Sequence, residues 1–297
     1  MMTGSSHVQV KLGLFSANTT PRASGSQAAA TARLAEDIGL ESLWVAEHIV
    51  IPAGYSTAYP YDPSGKLPDG EDIDWPDPFI WLTYAAAVTE RIKLATGVTV
   101  LPLRIPVVTA KQIATLDALS GGRVILGVGV GWLGEEFEAL GVPFNDRGRR
   151  HDDYLQAMKA LWTQEKAAIS NSFVDFRDAI SRPRPSASVP VVVSGHSAAA
   201  ARRVARVGDG WFPGVATAGE LADLYAVVRE ECSTLGRNPS EIEITFYVSG
   251  SDADALSTSI EEFAAAGVSR ILLTKLPDDD LRALVAVLGD RFDVVTA

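Results

Sequence analysis

The chain has 297 residues, 47% of them hydrophobic and 21% charged, enough to bury one large core or two ordinary ones. Its 26 Lys and Arg against 37 Asp and Glu leave a net charge of −11, which argues against nucleic acid or an anionic membrane as a partner. Cys232 is the sole cysteine, which excludes an intrachain disulfide and a Cys-ligated zinc site; no run approaches a membrane span, none reads as a signal peptide, and a cytoplasmic protein is expected.

In chain order, apolar strands alternate with amphipathic helices. VQVKLGLFS predicts a strand and QAAATARLAEDIGL an Ala-rich helix ending at Gly39. SLWVAEHIV is a second strand, after which residues 52–78, rich in Pro, Gly and Asp, break the rhythm. The helix DPFIWLTYAAAVTE, the strand IKLATGVTVLP and a helix opening on Pro106 follow, then the strand RVILGVGVG and the helix RRHDDYLQAMKALWTQ. A second irregular segment, residues 164–188, leads into the strand VPVVVSG and the helix SAAAARRVARVG. DGWFPG, EIEITFYVS and SRILLTKL are the last three strands, each followed by a helix.

Eight such units of continuous apolar strands between amphipathic helices predict a parallel sheet covered on both faces. In a chain of this length they fit a (β/α)₈ TIM barrel with insertions after strands 2 and 4 better than the alternative, an open doubly wound sheet of two lobes. We expect one barrel domain over residues 1–297, with residues 1–7 a flexible tail. The segment 52–78 carries Tyr55, Tyr61 and Trp75, aromatic side chains that suit a lid over the barrel mouth.

Active sites of such barrels lie at the C-terminal ends of the strands. Those ends are Ser16 and Asn18, Glu47 and His48, Thr96 to Thr99, Gly131 and Trp132, Ser194 to Ser197, Trp211, Ser249 and Lys275. Glu47 and His48 are therefore expected at the mouth of a cavity; the plainer reading pairs Glu47 with a helix-side lysine or arginine and leaves His48 filling a polar layer. Ser194-Gly195-His196-Ser197 runs from a strand straight into a helix, whose free N–H groups make an anion site, with Ser197 as N-cap or phosphate ligand. Thr96, Gly97, Val98 and Thr99 suggest a bulge late in the third strand. Arg150 and Tyr154 share a face of one helix.

Two motifs mislead. GHSAA resembles a hydrolase nucleophile elbow, but His196 is the last histidine, so no triad base follows the serine. GVGWLG spells a dinucleotide fingerprint with Gly129, Gly131 and Gly134, yet on the fourth strand and before a helix that breaks after two turns. Gly127, Gly129 and Gly131 leave one strand face bare, so that a ring or another backbone can come close. His151, Asp152 and Asp153 fan around a helix, and no metal site is expected.

LWVAEH, the run KLATGVTVLPLRIPVVTAKQIATLDALSGGRVILGVGVGW, RGRRHDDYLQAMKALW and VPVVVSGHSAAAARRVARVGDGWFP together resemble the luciferase-like monooxygenase superfamily, within it the F420-dependent oxidoreductases. The resemblance implies a flavin or deazaflavin at the mouth, its phosphate on Gly195, His196 and Ser197 beside Ser194. It implies a cis peptide at Gly97–Val98 under the ring, with Thr96, Gly131 and Tyr154 among the cofactor contacts. Glu47 would then meet the ring's polar edge, and His48, the candidate catalytic residue, would lie near the reacting carbon. The chain departs from the family's sugar-phosphate dehydrogenases: Trp132 replaces an acidic proton donor, and IVIP replaces a tryptophan after the histidine. Trp75, Trp132 and Trp211 suggest an apolar or aromatic small-molecule substrate. The expected cofactor is coenzyme F420, with FMN as the alternative. An oxygen-activating FMN monooxygenase and a non-catalytic cofactor carrier are the rival functions, and a homodimer is a family expectation.

Overall fold

The computed structural model describes residues 8–214, 217–274 and 276–297. The expected tail at 1–7 and the candidate Lys275 lie outside the described residues.

Eight parallel strands close into a barrel: β1 (Gln9–Leu14), β2 (Ser42–Val45), β3 (Lys93–Thr96), β5 (Val124–Gly129), β8 (Val191–Ser194), β9 (Gly210–Phe212), β10 (Glu243–Val248) and β11 (Val268–Leu273). β11 pairs back onto β1, with Leu14 opposite Leu273, so the eight-stranded ring closes. A two-residue strand, β4 (Thr99–Val100), continues the third position beyond a break at Gly97–Val98, whose peptide is cis, and pairs with β5. The expected third strand is thus two short strands joined by a bulge.

Alternation along each strand sorts two cores. Trp44, Ala95, Ile125, Val192, Phe212 and Leu272 point into the barrel and pack together, with Phe15, Val98 and Tyr247 above them. Leu43, Val45, Leu94, Leu126, Val191 and Val193 point outward into a second core shared with the helices. Those helices are α1 (Gly25–Asp37), α2 (Pro78–Ala86), α3 (Pro106–Ser120), α4 (Gly134–Ala139), α5 (Arg147–Thr163), α6 (Ala198–Val207), α7 (Ala218–Leu235), α8 (Ala253–Ala265) and α9 (Asp278–Arg291). At the barrel's N-terminal end, Arg270 is buried and bonded to Glu41 at 3.0 and 3.1 Å and to Glu243 at 2.5 Å.

Two features depart from the expected pattern. The segment 164–188 holds an antiparallel hairpin, β6 (Ala167–Ser170) with β7 (Asp175–Ala179), where irregular chain was predicted. After α9 a short strand, β12 (Asp293–Val295), pairs with the first half of β1.

Residues 46–77, between β2 and α2, contain no strand or helix yet are firmly held. Tyr55, Leu67 and Leu133 form a small core of their own beneath Ile51, Tyr59 and Trp132. Glu135, on α4, clasps the segment from outside. Its carboxylate accepts from Thr57 Oγ1 at 2.6 Å, Ser56 N at 2.7 Å, Ser56 Oγ at 2.8 Å and Thr57 N at 3.1 Å. The Thr57 hydroxyl bond, followed by those from Ser56, holds the Glu135 carboxyl well below the ordinary glutamate value of 4.5.

Two outcomes are expected. A Cβ on Gly127 would lie 1.9 Å from the carbonyl oxygen of Thr96, a backbone atom that cannot yield without moving the bulge. Gly127→Ala should therefore lose more than about 3 kcal/mol of stability in a denaturant titration. A carboxyl lowered in the folded state contributes fully above its unfolded value and loses that contribution as pH falls toward the folded value. Amide exchange at Ser56 and Thr57, normalised to the intrinsic rate, should accelerate several-fold between about pH 5 and about pH 3. Glu135→Gln should bring the fast rate to neutral pH and erase the acid response.

Candidate functional site

The C-terminal ends of the strands surround a cavity of about 450 Å³. Asn18, fully buried, aims the second strand end into it: its side chain donates to Ala46 O and accepts from Ala46 N, both at 2.9 Å. The two residues that follow, Glu47 and His48, line the cavity.

Glu47 is buried and bound on both oxygens. Val100 N donates to Oε2 at 2.6 Å, and Arg104 Nε donates to Oε1 at 2.6 Å with its Nη2 closing a second contact. Arg104 also reaches Asp77 Oδ2 at 2.8 Å, and Asp77 caps α2 through Phe79 N and Ile80 N. Burial pushes the Glu47 carboxyl up, opposed by Arg104 and the Val100 N–H. Burial likewise pulls the Arg104 guanidinium down, but the Glu47 carboxylate outweighs it and holds it above its ordinary value. Two guanidinium N–H groups on Oε1 and a backbone N–H on Oε2 together compensate the buried carboxylate. Glu47 thus anchors β4 to the end of β2, and the expectation of a paired cation is met by Arg104, which the sequence reading had not named.

His48 is held by Glu136 of α4. Nδ1 lies 3.0 Å from Glu136 Oε2, while Oε1 of the same carboxylate accepts from Ile49 N at 2.6 Å and Val50 N at 3.2 Å. Trp75 and Trp132 meet the imidazole edge-on, at 5.1 and 5.7 Å between centroids, and Tyr59 packs on Trp132 at 5.0 Å. Trp75 comes from the segment 46–77, so that segment supplies an aromatic flank where IVIP supplies none.

The cavity's inner wall is the bulge. Gly97 and Val98 line it, Val98 lying over the bare face of β5, where a Cβ on Gly129 would be 2.8 Å from Val98 Cγ2. Gly131, also lining, turns with φ +82° and leaves room for Phe137 and Val100. The bare glycine face inferred from sequence thus receives the backbone of Thr96 at Gly127 and the side chain of Val98 at Gly129.

Across the cavity, β8 ends at Ser194 and Gly195 follows it, both lining the cavity, and Ser197 caps α6 by accepting from Ala200 N at 3.2 Å. Gly195 has φ +123°, and a Cβ there would lie 2.8 Å from that of Ala200. His196, Ser197, Ala198 and Ala199 are exposed, and the first amides of α6 have no acceptor inside the helix. Tyr61 lies over this place. Its ring meets His196 at 5.2 Å, its hydroxyl shares a hydrogen bond with Ser194, and burial pushes that hydroxyl up, so it stays protonated. A Cβ on Gly214 would be 2.1 Å from Tyr61 Cε1, so this glycine makes room for the ring.

Several expected site residues lie elsewhere. Trp211, wholly buried, points into the outer core and donates to Gly195 O at 3.0 Å; its neighbour Phe212 faces the cavity in its place. Thr96 is buried with its hydroxyl donating to Gly127 O at 2.6 Å, and it braces the bulge from behind. Tyr154 accepts from Arg150 at 3.1 Å and packs near Phe173, the tip of the β6–β7 hairpin. None of these three lines the cavity; His196 and Ser197 stand just beyond its rim. Ser16 and Ser249 do line it, as do Phe15 and Tyr247, which sequence reading did not single out. Among the described residues, no group of three His, Cys, Asp or Glu could hold a metal ion.

Comparison with known proteins bears on the family and the fold. A model of the luciferase-like monooxygenase family matches residues 8–270. An uncharacterised protein of Mycobacterium tuberculosis H37Rv is 42% identical over 193 residues, 63% of this chain and 67% of its own length. The F420-dependent glucose-6-phosphate dehydrogenase of Kineococcus radiotolerans is 31% identical over 223 residues, 72% of this chain and 60% of that enzyme. Among solved structures, an F420-dependent secondary alcohol dehydrogenase in complex with an F420–acetone adduct superposes with a TM-score of 0.77 at 18% identity, over 95% of this chain and 98% of that one. The oxygenating component of an FMN-bound type II Baeyer–Villiger monooxygenase from Pseudomonas putida gives 0.75 at 14%, over 97% and 100%. These two structures share the fold. The match over nearly the whole barrel establishes that the chain belongs to the luciferase-like monooxygenase family.

Proposed function

We propose that this protein is a cytoplasmic F420-dependent oxidoreductase that moves a hydride to or from a small, uncharged, apolar or aromatic substrate. The observation that carries the reading is that one cavity joins Ser194 and Gly195, which lead into the start of α6, with a bulged inner wall and a carboxylate-held histidine. The residues fit a phosphorylated tricyclic cofactor: Gly195, at φ +123° and tight against Ala200, turns the chain from the cavity wall into α6, and the residues at the start of that helix are exposed, with amides free to donate. Ser194, Gly195, His196 and Ser197 would hold the phosphate, and Gly97, Val98 and Gly131 would face the ring. The cofactor, when bound, supplies the hydride chemistry.

His48 offers Nε2 to a substrate oxygen and holds or passes a proton there, since Nδ1 is engaged by Glu136. Trp75 lines the cavity with its indole N–H buried and without a partner among the described residues, so a substrate oxygen would satisfy it. Tyr59, Leu67, Pro68 and Trp132 complete an apolar wall. Among the described residues no Lys or Arg lines the cavity, which argues against a phosphorylated substrate. F420 is favoured over FMN by the names of the sequence relatives; the shared phosphate chemistry keeps FMN as the second reading.

Calorimetric titration with each cofactor should give F420 binding at least about tenfold tighter than FMN. FMN binding with oxygen consumption would instead make the protein a monooxygenase, and F420 binding without turnover of any alcohol, ketone or enone would make it a carrier. His48→Ala should lower kcat on the order of 10²-fold and leave the cofactor Kd unchanged.

The reading includes a homodimer. Ile80 and Tyr84 on α2, with Ile105 before α3 and Val107 and Val108 on it, are exposed apolar side chains on two helices packed together. Sedimentation should find a dimer, and Ile80→Glu with Val108→Glu a monomer.

A further inference from the structure

We propose that Glu136 is a positioning residue that fixes neutral His48 in the tautomer with its proton on Nδ1, so that Nε2 presents a bare lone pair. The inference rests on the function proposed above for its catalytic consequence and on geometry alone for the tautomer.

Glu136 is 2% exposed, and among the described residues its one ionisable partner is His48. Its two oxygens are divided. Oε1 accepts from two backbone donors, Ile49 N and Val50 N, and is saturated by them; Oε2 faces Nδ1 at 3.0 Å. With Glu136 as a carboxylate, which only accepts, the hydrogen between these atoms belongs to the ring. The other ring nitrogen is then the acceptor, and it alone can take a proton from a substrate hydroxyl. An imidazole of the opposite tautomer could only donate there. Ile49 and Val50 directly follow His48, so the carboxylate sets the proton position and the path of the backbone together. Edge-on packing by Trp75 and Trp132 keeps the ring from turning over.

Glutamine at this position separates the two duties. Its single carbonyl oxygen stays with the two backbone N–H groups, and its NH₂ group then faces Nδ1 and donates to it. Glu136→Gln should therefore invert the tautomer without disturbing Ile49 and Val50.

The test is a long-range ¹H–¹⁵N correlation spectrum of cofactor-free protein labelled on histidine, at a pH where the ring is neutral. His48 is assigned by its loss in His48→Gln. We expect a protonated Nδ1 in the wild type, a protonated Nε2 in Glu136→Gln, and the wild-type pattern restored in Glu136→Asp. With F420 and a substrate, Glu136→Gln should lower kcat on the order of 10²-fold with KM and cofactor Kd unchanged, and Glu136→Asp should recover most of it. Protonated Nε2 in the wild type would overturn the proposal, and so would a tautomer unmoved by Glu136→Gln. Should that variant fail to fold, the wild-type spectrum alone decides. A protein that binds neither F420 nor FMN would defeat the functional reading and leave the tautomer result standing.

Discussion

The site depends on one close approach. The carbonyl oxygen of Thr96 occupies the space where any residue but glycine at position 127 would carry a Cβ. That contact lets the third strand bulge inward, places Gly97 and Val98 on the inner wall and resumes the strand at β4 in register with β5. Glu47 is bonded to the N–H of Val100 in β4, and Arg104 ties that carboxylate on to Asp77 and the start of α2. A cluster of mutually supporting groups of this kind has two arrangements, assembled or collapsed, and little between.

Around that frame the division of labour between acids is informative. Glu135 and Glu136 are neighbours on a helix of six residues, and they hold different things. Glu135 faces outward and clasps Ser56 and Thr57; Glu136 faces inward and holds His48, Ile49 and Val50. Both act on the same excursion of chain, residues 46–77, from its two sides. The aromatic wall built from Tyr59, Trp75 and Trp132 is therefore fixed relative to the imidazole by α4.

The barrel was legible because its strands are continuous apolar runs of the right length between helices with clear starts. The strand ends located Glu47, His48, Gly97, Val98, Gly131, Trp132, Ser194 and Gly195 at one cavity for the same reason. Trp211 was misplaced although the signal was present: strand residues alternate, and once Phe212 faces inward Trp211 cannot. Thr96 fails by the same parity beside Ala95. Glu136 was out of reach, since its bond to His48 spans 88 positions and no periodicity announces it. The hairpin of β6 and β7 is short and mostly exposed, so it lacks the buried face that makes a strand readable.

Tyr61 roofs the start of α6, with its edge against Gly214 and its ring on His196. A phosphate held at those amides, as proposed above, would stand between a protonated phenol and an imidazole, on a ledge that solvent still reaches because residues 196–199 are exposed.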